Sequence, residues 1–277
     1  MSTAAATIRG AHGASWRERF YRFVFRMAEA FAVNCAMLGD MSILDHLEEF
    51  RRRIIRSLIF VAVGVFLCWT YIVPIIQFVS RPAHAAGIPI VAIDPTEIFS
   101  LYFKVAFAGG ICLAAPFVLW QVWQFISPAL HKHERRYAVP FLLSTTFCFL
   151  VGAAFGYGFL VPLALKISAA MAQDVNIPIN MKASGYFDTL TMLVIAGGFV
   201  FEIPPVIFVL SRIGLVNARF LARNFRYAIL ISLIAAAILT PSPDAFNMML
   251  LAIPIIALYG VGIVVAWAFG KPRESEA

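Results

Sequence analysis

Uninterrupted apolar length is what most constrains this chain. Residues 57–79, SLIFVAVGVFLCWTYIVPIIQFV, contain no charged side chain, and a hydrocarbon layer about 30 Å thick takes roughly 20 such residues in a helix. In lipid every backbone N–H and C=O must find its partner within the chain, so a run of this kind folds as a helix. Six such runs are readable, at about 57–79, 102–126, 137–164, 188–210, 225–240 and 245–269. The fifth is short, which predicts that it thins the bilayer or stops short of one face. Composition agrees: 61% of residues are hydrophobic and 13% charged, against roughly 45 to 50% apolar in a soluble domain. The expected fold is all-α, a polytopic bundle of six membrane-spanning helices.

Six spans put both ends of the bundle on one side, and the Lys and Arg census assigns it. Eighteen basic residues fall before the first run, in the second-to-third and fourth-to-fifth connectors and in the tail; only Arg81, Lys104, Lys166 and Lys182 fall on the other side. Both termini are therefore expected to be cytoplasmic. On the outer side, residues 80–101 form a long loop ending in DPTEIF, where Asp94 suits a cap, Pro95 a first helical position and Glu97 the positive end of the dipole. That pattern predicts a short helix lying outside the membrane. Residues 165–187 read as a second outer loop, and TPSPD at 240–244 as a tight turn in which Asp244 caps the last span.

The segment MSILDHLEEF at 41 resembles a second beginning, with Ser42 and Asp45 spaced as a capping box. Residues 1–40 are expected to form a poorly ordered cytoplasmic extension with no cleavable signal peptide, Met41 being an alternative start. Residues 41–270 then make the membrane domain and 271–277 a cytoplasmic tail. The four cysteines have no metal-ligand spacing and read as small hydrophobes. Neither a metal site nor a phosphate-binding glycine loop is visible, so no cofactor is expected.

Two inward-side acids stand out. Ile43, Leu47, Phe50, Ile54 and Leu58 form an apolar stripe on the entrance helix, and the other side carries Glu48, Glu49 and Arg51 to Arg53. Glu48 with Arg52 and Glu49 with Arg53 are spaced to pair along the helix, which would make this a solvated, self-satisfied entrance. The functional reading is that Glu49 and Glu134, the latter in the basic connector HKHERR, jointly accept guanidinium groups of a partner through two-bond forks. Exposed ion pairs contribute only about 0 to 1 kcal/mol each. Such a partner therefore needs a hydrophobic stretch after its paired arginines.

Within the fourth run stands FEIPP, placing Glu202 near the expected midplane, where an acid normally faces protein, water or a partner. Pro204 and Pro205 lack N–H donors and predict a bend. Pro74, Pro116, Pro162 and Pro254 predict further distortion of their spans. A proton-coupled secondary transporter using Glu202 is one alternative, but it predicts a paired broken helix in the first half, and no counterpart of FEIPP is found there. An intramembrane hydrolase is another; the five histidines lie outside the runs, away from any nucleophile within them.

HLEEFRRRI, DPTEIF, APFVLWQVWQFISPALHKHERR, FEIPP and LTPSPDAFNMMLLAIP occur in that order over about residues 41–270. Together they resemble the TatC family of twin-arginine protein translocase subunits. The resemblance implies a cup-shaped, non-enzymatic receptor in the bacterial inner membrane. Such a receptor binds twin-arginine signal peptides at the cytoplasmic face and recruits the single-span partners TatA and TatB in an oligomeric complex. It exports folded proteins on the proton gradient; nucleic acid is not an expected partner. It further implies signal-peptide recognition by Glu49 and Glu134, with Arg51 and Phe125 close by, and docking of a partner helix at Glu202. After the last outer turn, where many members have a glutamine, this chain has Met248 with Asn247 beside it.

Overall fold

The backbone of this chain is held almost wholly in helix. The computed structural model describes residues 43–126, 138–174, 180–239 and 245–270. In chain order, α1 is Ile43–Thr70, α2 Ile72–Val79, α3 Arg81–Ala85, β1 Ile90–Val91 and α4 Pro95–Ile126. Then come α5 Ala138–Phe155, a π-helical turn Gly156–Leu160, α6 Val161–Asp174 and β2 Met181–Lys182. The fold closes with α7 Ala183–Phe201, α8 Ile203–Ile213, α9 Ala218–Arg223, α10 Phe225–Leu239 and α11 Ala245–Phe269.

Five segments are long and apolar enough to cross a membrane: Leu47–Thr70, Pro95–Phe125, Phe141–Asp174, Ala183–Arg212 and Met248–Phe269. The fifth predicted run forms α10, of 15 residues, about 22 Å long at 1.5 Å per residue. It is apolar but falls short of a full hydrocarbon thickness. Large apolar side chains face outward along the bundle, Trp267 and Ile238 each 79% exposed, as lipid-facing helices require.

Several boundaries differ from the sequence expectation. DPTEIF is not a separate outer helix: Pro95 starts α4, which continues unbroken through Pro116 to Ile126. Likewise α6 runs on to Asp174, because KISAAMAQD is rich in good helix formers and a helix needs no lipid to continue. The first run is broken, α1 ending at Thr70 and α2 starting at Ile72, just ahead of Pro74, whose missing N–H leaves the Thr70 carbonyl unanswered. Pro162 acts similarly, with the π-helical turn immediately before it absorbing the lost donor.

The two loops that follow α3 and α6 meet. Ile90 and Val91 pair in parallel with Met181 and Lys182, so both loops lie at the same end of the bundle. Tyr157 donates to the carbonyl of Phe78 at 2.8 Å and Tyr186 to that of Val79 at 2.6 Å, satisfying carbonyls that the end of α2 leaves open. The main core gathers at this end, around Tyr186, Phe187, Leu190 and Leu193 of α7 with Ala83, Leu101, Val105, Leu160 and Leu165. At the opposite end the described core is a small cluster of Ile207, Leu221 and Ala266. Among the described residues the larger core thus lies at one end, the packed end, and the smaller at the other, the open end.

Candidate functional site

The open end is shaped by how α1 meets α4. On α1, Arg53, Gly64 and Cys68 are buried, and spacings of 11 and 4 residues put them on one helical face. A Cβ on Gly64 would lie 2.6 Å from the Gly110 carbonyl oxygen, so both glycines are needed for backbones this close. The apolar stripe of the entrance helix is turned the other way: Leu47, Phe50, Ile54 and Leu58 are exposed. Lipid is as apolar as a side chain, so nothing forces such a stripe inward.

This seam sets Arg53 against Gln124. Arg53 Nη1 donates to Gln124 Oε1, while its Nε, at 2.8 Å, and Nη2 both donate to Glu49 Oε1. The Arg53 and Glu49 side chains are only 8% and 12% exposed. The pair foreseen as solvated is therefore buried, whereas its neighbour, Arg52 to Glu48 at 3.2 Å, is the exposed one. Glu49 Oε2 is buried and has no hydrogen-bond partner among the described residues, and the same holds for Gln121 Oε1. Both are acceptors. Gln121 and Arg53, the partner of Glu49, line a cavity of about 400 Å³ between α1 and α4, with Phe50, Leu58 and Phe125 among others. The rings of Phe50 and Phe125 pack at 5.3 Å between centroids. Arg51, one residue past Phe50, is exposed.

Of the recognition residues expected from sequence, Glu49 and Phe125 lie at this end of the α1 to α4 seam and Arg51 is exposed near it on α1; Glu134 lies outside the described residues. Asp244 does too, as does the side chain of Asn247. Met248 is half-buried and packs against the main core.

Glu202 joins α7 to α8. Its N–H donates to the Phe199 carbonyl at 3.1 Å and its own carbonyl accepts from Val206 at 2.9 Å; Pro204 and Pro205 follow in the first turn of α8. The predicted break is thus present. Glu202 falls past the middle of the Ala183–Arg212 span, toward the open end. The side chain is buried, with Oε1 lacking a hydrogen-bond partner among the described residues. Near it, Cys148, Pro204, Pro205 and Phe208 help line a second open-end cavity of about 430 Å³ that reaches α11 at Val265 and Phe269.

Glu97 was foreseen only as a dipole partner, yet it ties the packed end together. Its buried carboxylate accepts from Ile93 N–H at 3.1 Å and Ser184 Oγ at 3.2 Å, and meets Lys182 Nζ at 2.6 Å. Nothing in sequence spacing joins positions 97 and 182; only the β1 to β2 pairing does.

The fold and these buried acids define a multi-pass α-helical membrane protein, with no cluster of three or more metal-ligating side chains among the described residues. More narrowly, the chain belongs to the TatC family: the model described as Sec-independent protein translocase protein (TatC) matches residues 45–254. The Sec-independent protein translocase protein TatC of Koribacter versatilis is 42% identical over 236 residues, spanning 83% of this chain and 86% of its own length. That of Deinococcus radiodurans is 36% identical over 251 residues, 86% of this chain and 91% of its own. A crystal structure of the twin-arginine translocase receptor TatC superposes with a TM-score of 0.73 at 32% identity, covering 80% of this chain and 97% of that one. These relatives are named as translocase components, which favours the translocase reading over a small-solute transporter.

Proposed function

We propose that this chain is the receptor subunit of a twin-arginine translocation system, crossing the bacterial inner membrane six times as a cup-shaped bundle with both termini cytoplasmic. Its open end is the cytoplasmic one. Glu49 and Glu134 receive the paired arginines of a signal peptide, with Arg51 and Phe125 beside them, and the hydrophobic stretch of that peptide lies along the groove between α1 and α4. Glu202, with Asn247 and Met248, docks the single helices of TatA and TatB in an oligomeric assembly that exports folded proteins.

The observation that carries this reading is two leftover buried acceptors among the described residues: Gln121 Oε1, in the wall of an apolar groove, and Glu49 Oε2, on the carboxylate held by Arg53, which also lines that groove. A ligand that satisfies acceptors only, and then fills apolar space, is rich in donors and followed by hydrophobic residues; a guanidinium meets the first need in a way lysine's point charge does not. Arg53 occupies one of the two Glu49 oxygens and leaves the other. Site-specific photocrosslinking from position 134 to a bound signal peptide tests the assignment, with loss of the adduct expected when the peptide's arginines become lysines. In parallel, Glu49→Ala and Glu134→Ala should abolish export of a folded reporter at normal protein level. Undiminished export by the double variant would remove the recognition role. For the partner site, Glu202→Ala should lose photocrosslinks to TatB, and an unchanged pattern would exclude docking there.

A further inference from the structure

The side of the bundle that carries β1 and β2 holds few cations, and their partners can be accounted for one by one. Lys104 pairs with Asp188 at 2.5 Å, and Lys182 with Glu97 at 2.6 Å and Asp94 at 3.6 Å. Arg81 and Lys166 are the remaining two, and neither meets a carboxylate within 4.0 Å among the described residues; Asp174, at the end of α6, pairs with neither. Both line one cavity of about 450 Å³ between α3 and α6, with Pro82, Tyr157, Pro162 and Gln173 in its wall. Both side chains are exposed.

We propose that this cavity binds the headgroup of an anionic phospholipid, its phosphate held between the Arg81 guanidinium and the Lys166 ammonium. A solitary cation on an apolar helix is ordinarily a snorkelling side chain. Two of them, from helices far apart in sequence, converging on one apolar-walled hollow without an acid, make a site of positive potential. A guanidinium offers phosphate a two-bond fork and an ammonium adds a point charge. The wall is arranged to leave the cations available. The Tyr157 hydroxyl is already committed to the Phe78 carbonyl, and the Arg81 guanidinium sits 5.3 Å over the Phe78 ring, which orients it without neutralising it. At Gly158, in the same wall, a Cβ would find no atom within 4 Å, so the π-helical turn leaves open space that the glycerol and first acyl carbons would fill. A lipid seated here would bridge α3 to α6. The site is independent of the signal-peptide reading, being at the other end of the molecule.

Full-length protein in nanodiscs of equal phosphatidylglycerol and phosphatidylcholine, released into native mass spectrometry, tests this. Wild type should retain phosphatidylglycerol preferentially, and Arg81→Gln with Lys166→Gln should lower that affinity roughly thirtyfold, on the scale of basic residues at a charged membrane surface. The exchange Arg81→Lys with Lys166→Arg should keep most of it, and Arg223→Gln, at the other end, should keep all of it. Equal retention by wild type and the double Gln variant would overturn the proposal, as would an equal loss in Arg223→Gln. Inorganic phosphate that displaced the lipid at millimolar levels would make this a free-anion site and overturn the lipid assignment. Should the double variant fail to fold, absence of any preference for phosphatidylglycerol in wild type would overturn it alone.

Discussion

Arg53 is the residue on which the open end depends. It is buried, gives two nitrogens to Glu49 and a third to Gln124, and removing one member of a buried pair leaves the other charged and unanswered. Arg53→Ala is therefore expected to cost about 3 kcal/mol or more, lowering the thermal midpoint of the detergent-solubilised protein well below that of Arg52→Ala. The exposed Arg52 to Glu48 pair contributes under about 1 kcal/mol, and equal midpoints for the two variants would contradict the difference in burial. Glu202 predicts the opposite sign. A buried carboxylate oxygen without a partner costs roughly 1 to 3 kcal/mol, so Glu202→Met should raise the midpoint while weakening export, as expected where stability is given up at a functional position. A fall in midpoint would show that the acid is satisfied from outside the described residues. The acids themselves were legible in the sequence, since charge is conspicuous against apolar surroundings. Their states were not. The Glu49 and Glu48 pairs have identical spacing, and only the neighbouring helix decides that one is buried and the other wet.

At the scale of elements, the helices are joined by what they lack. On α5 and α7, a Cβ on Gly152 would lie 2.3 Å from the Gly197 carbonyl oxygen, and one on Gly197 would lie 2.5 Å from that of Gly152. Gly197→Val should thus force the two helices apart and sharply reduce the monodisperse fraction in size-exclusion chromatography. Gly260→Ala meets no atom within 4 Å, and should be neutral or stabilising by up to about 1 kcal/mol, because glycine in a helix interior carries excess backbone entropy. Apolar runs announce that helices exist, but which glycines face each other depends on rotation about each axis, and a bilayer removes the amphipathic signal that would reveal it. The same limit hid the clamp at the packed end. Glu97→Ala should speed amide exchange over residues 88–93 and 180–184 and leave the cores of α4 and α7 protected. Unchanged exchange in both loops would mean that the β1 to β2 pairing holds without the carboxylate.

For the molecule as a whole, the packed end and the open end divide the work. The larger described core with its tyrosine caps and loop clamp ties the helices together at one end, and the bent α7 to α8 junction and two cavities offer room for a ligand at the other. The breaks ahead of Pro74 and Pro162 and at Glu202 go with prolines, whereas Pro116 and Pro254 lie inside continuous helices. The extent of α4 and α6 past their most apolar runs could not be read from the sequence, because a fall in hydropathy does not mark where a helix ends. The short α10 was legible for the same reason that the long helices were, and it carries a consequence for the bilayer. At about 22 Å it is some 8 Å short of an ordinary hydrocarbon core of about 30 Å, and mismatch costs a fraction of a kcal/mol per ångström. A six-crossing bundle must then thin the membrane beside α10 and α11. Its unfolding midpoint should accordingly be higher in dimyristoyl than in dierucoyl phosphatidylcholine nanodiscs, and lengthening α10 by one apolar turn after Ile234 should move the optimum toward thicker lipid. An insertion that left the thickness dependence unchanged would show that α10 does not cross the bilayer and that the six-crossing topology is wrong.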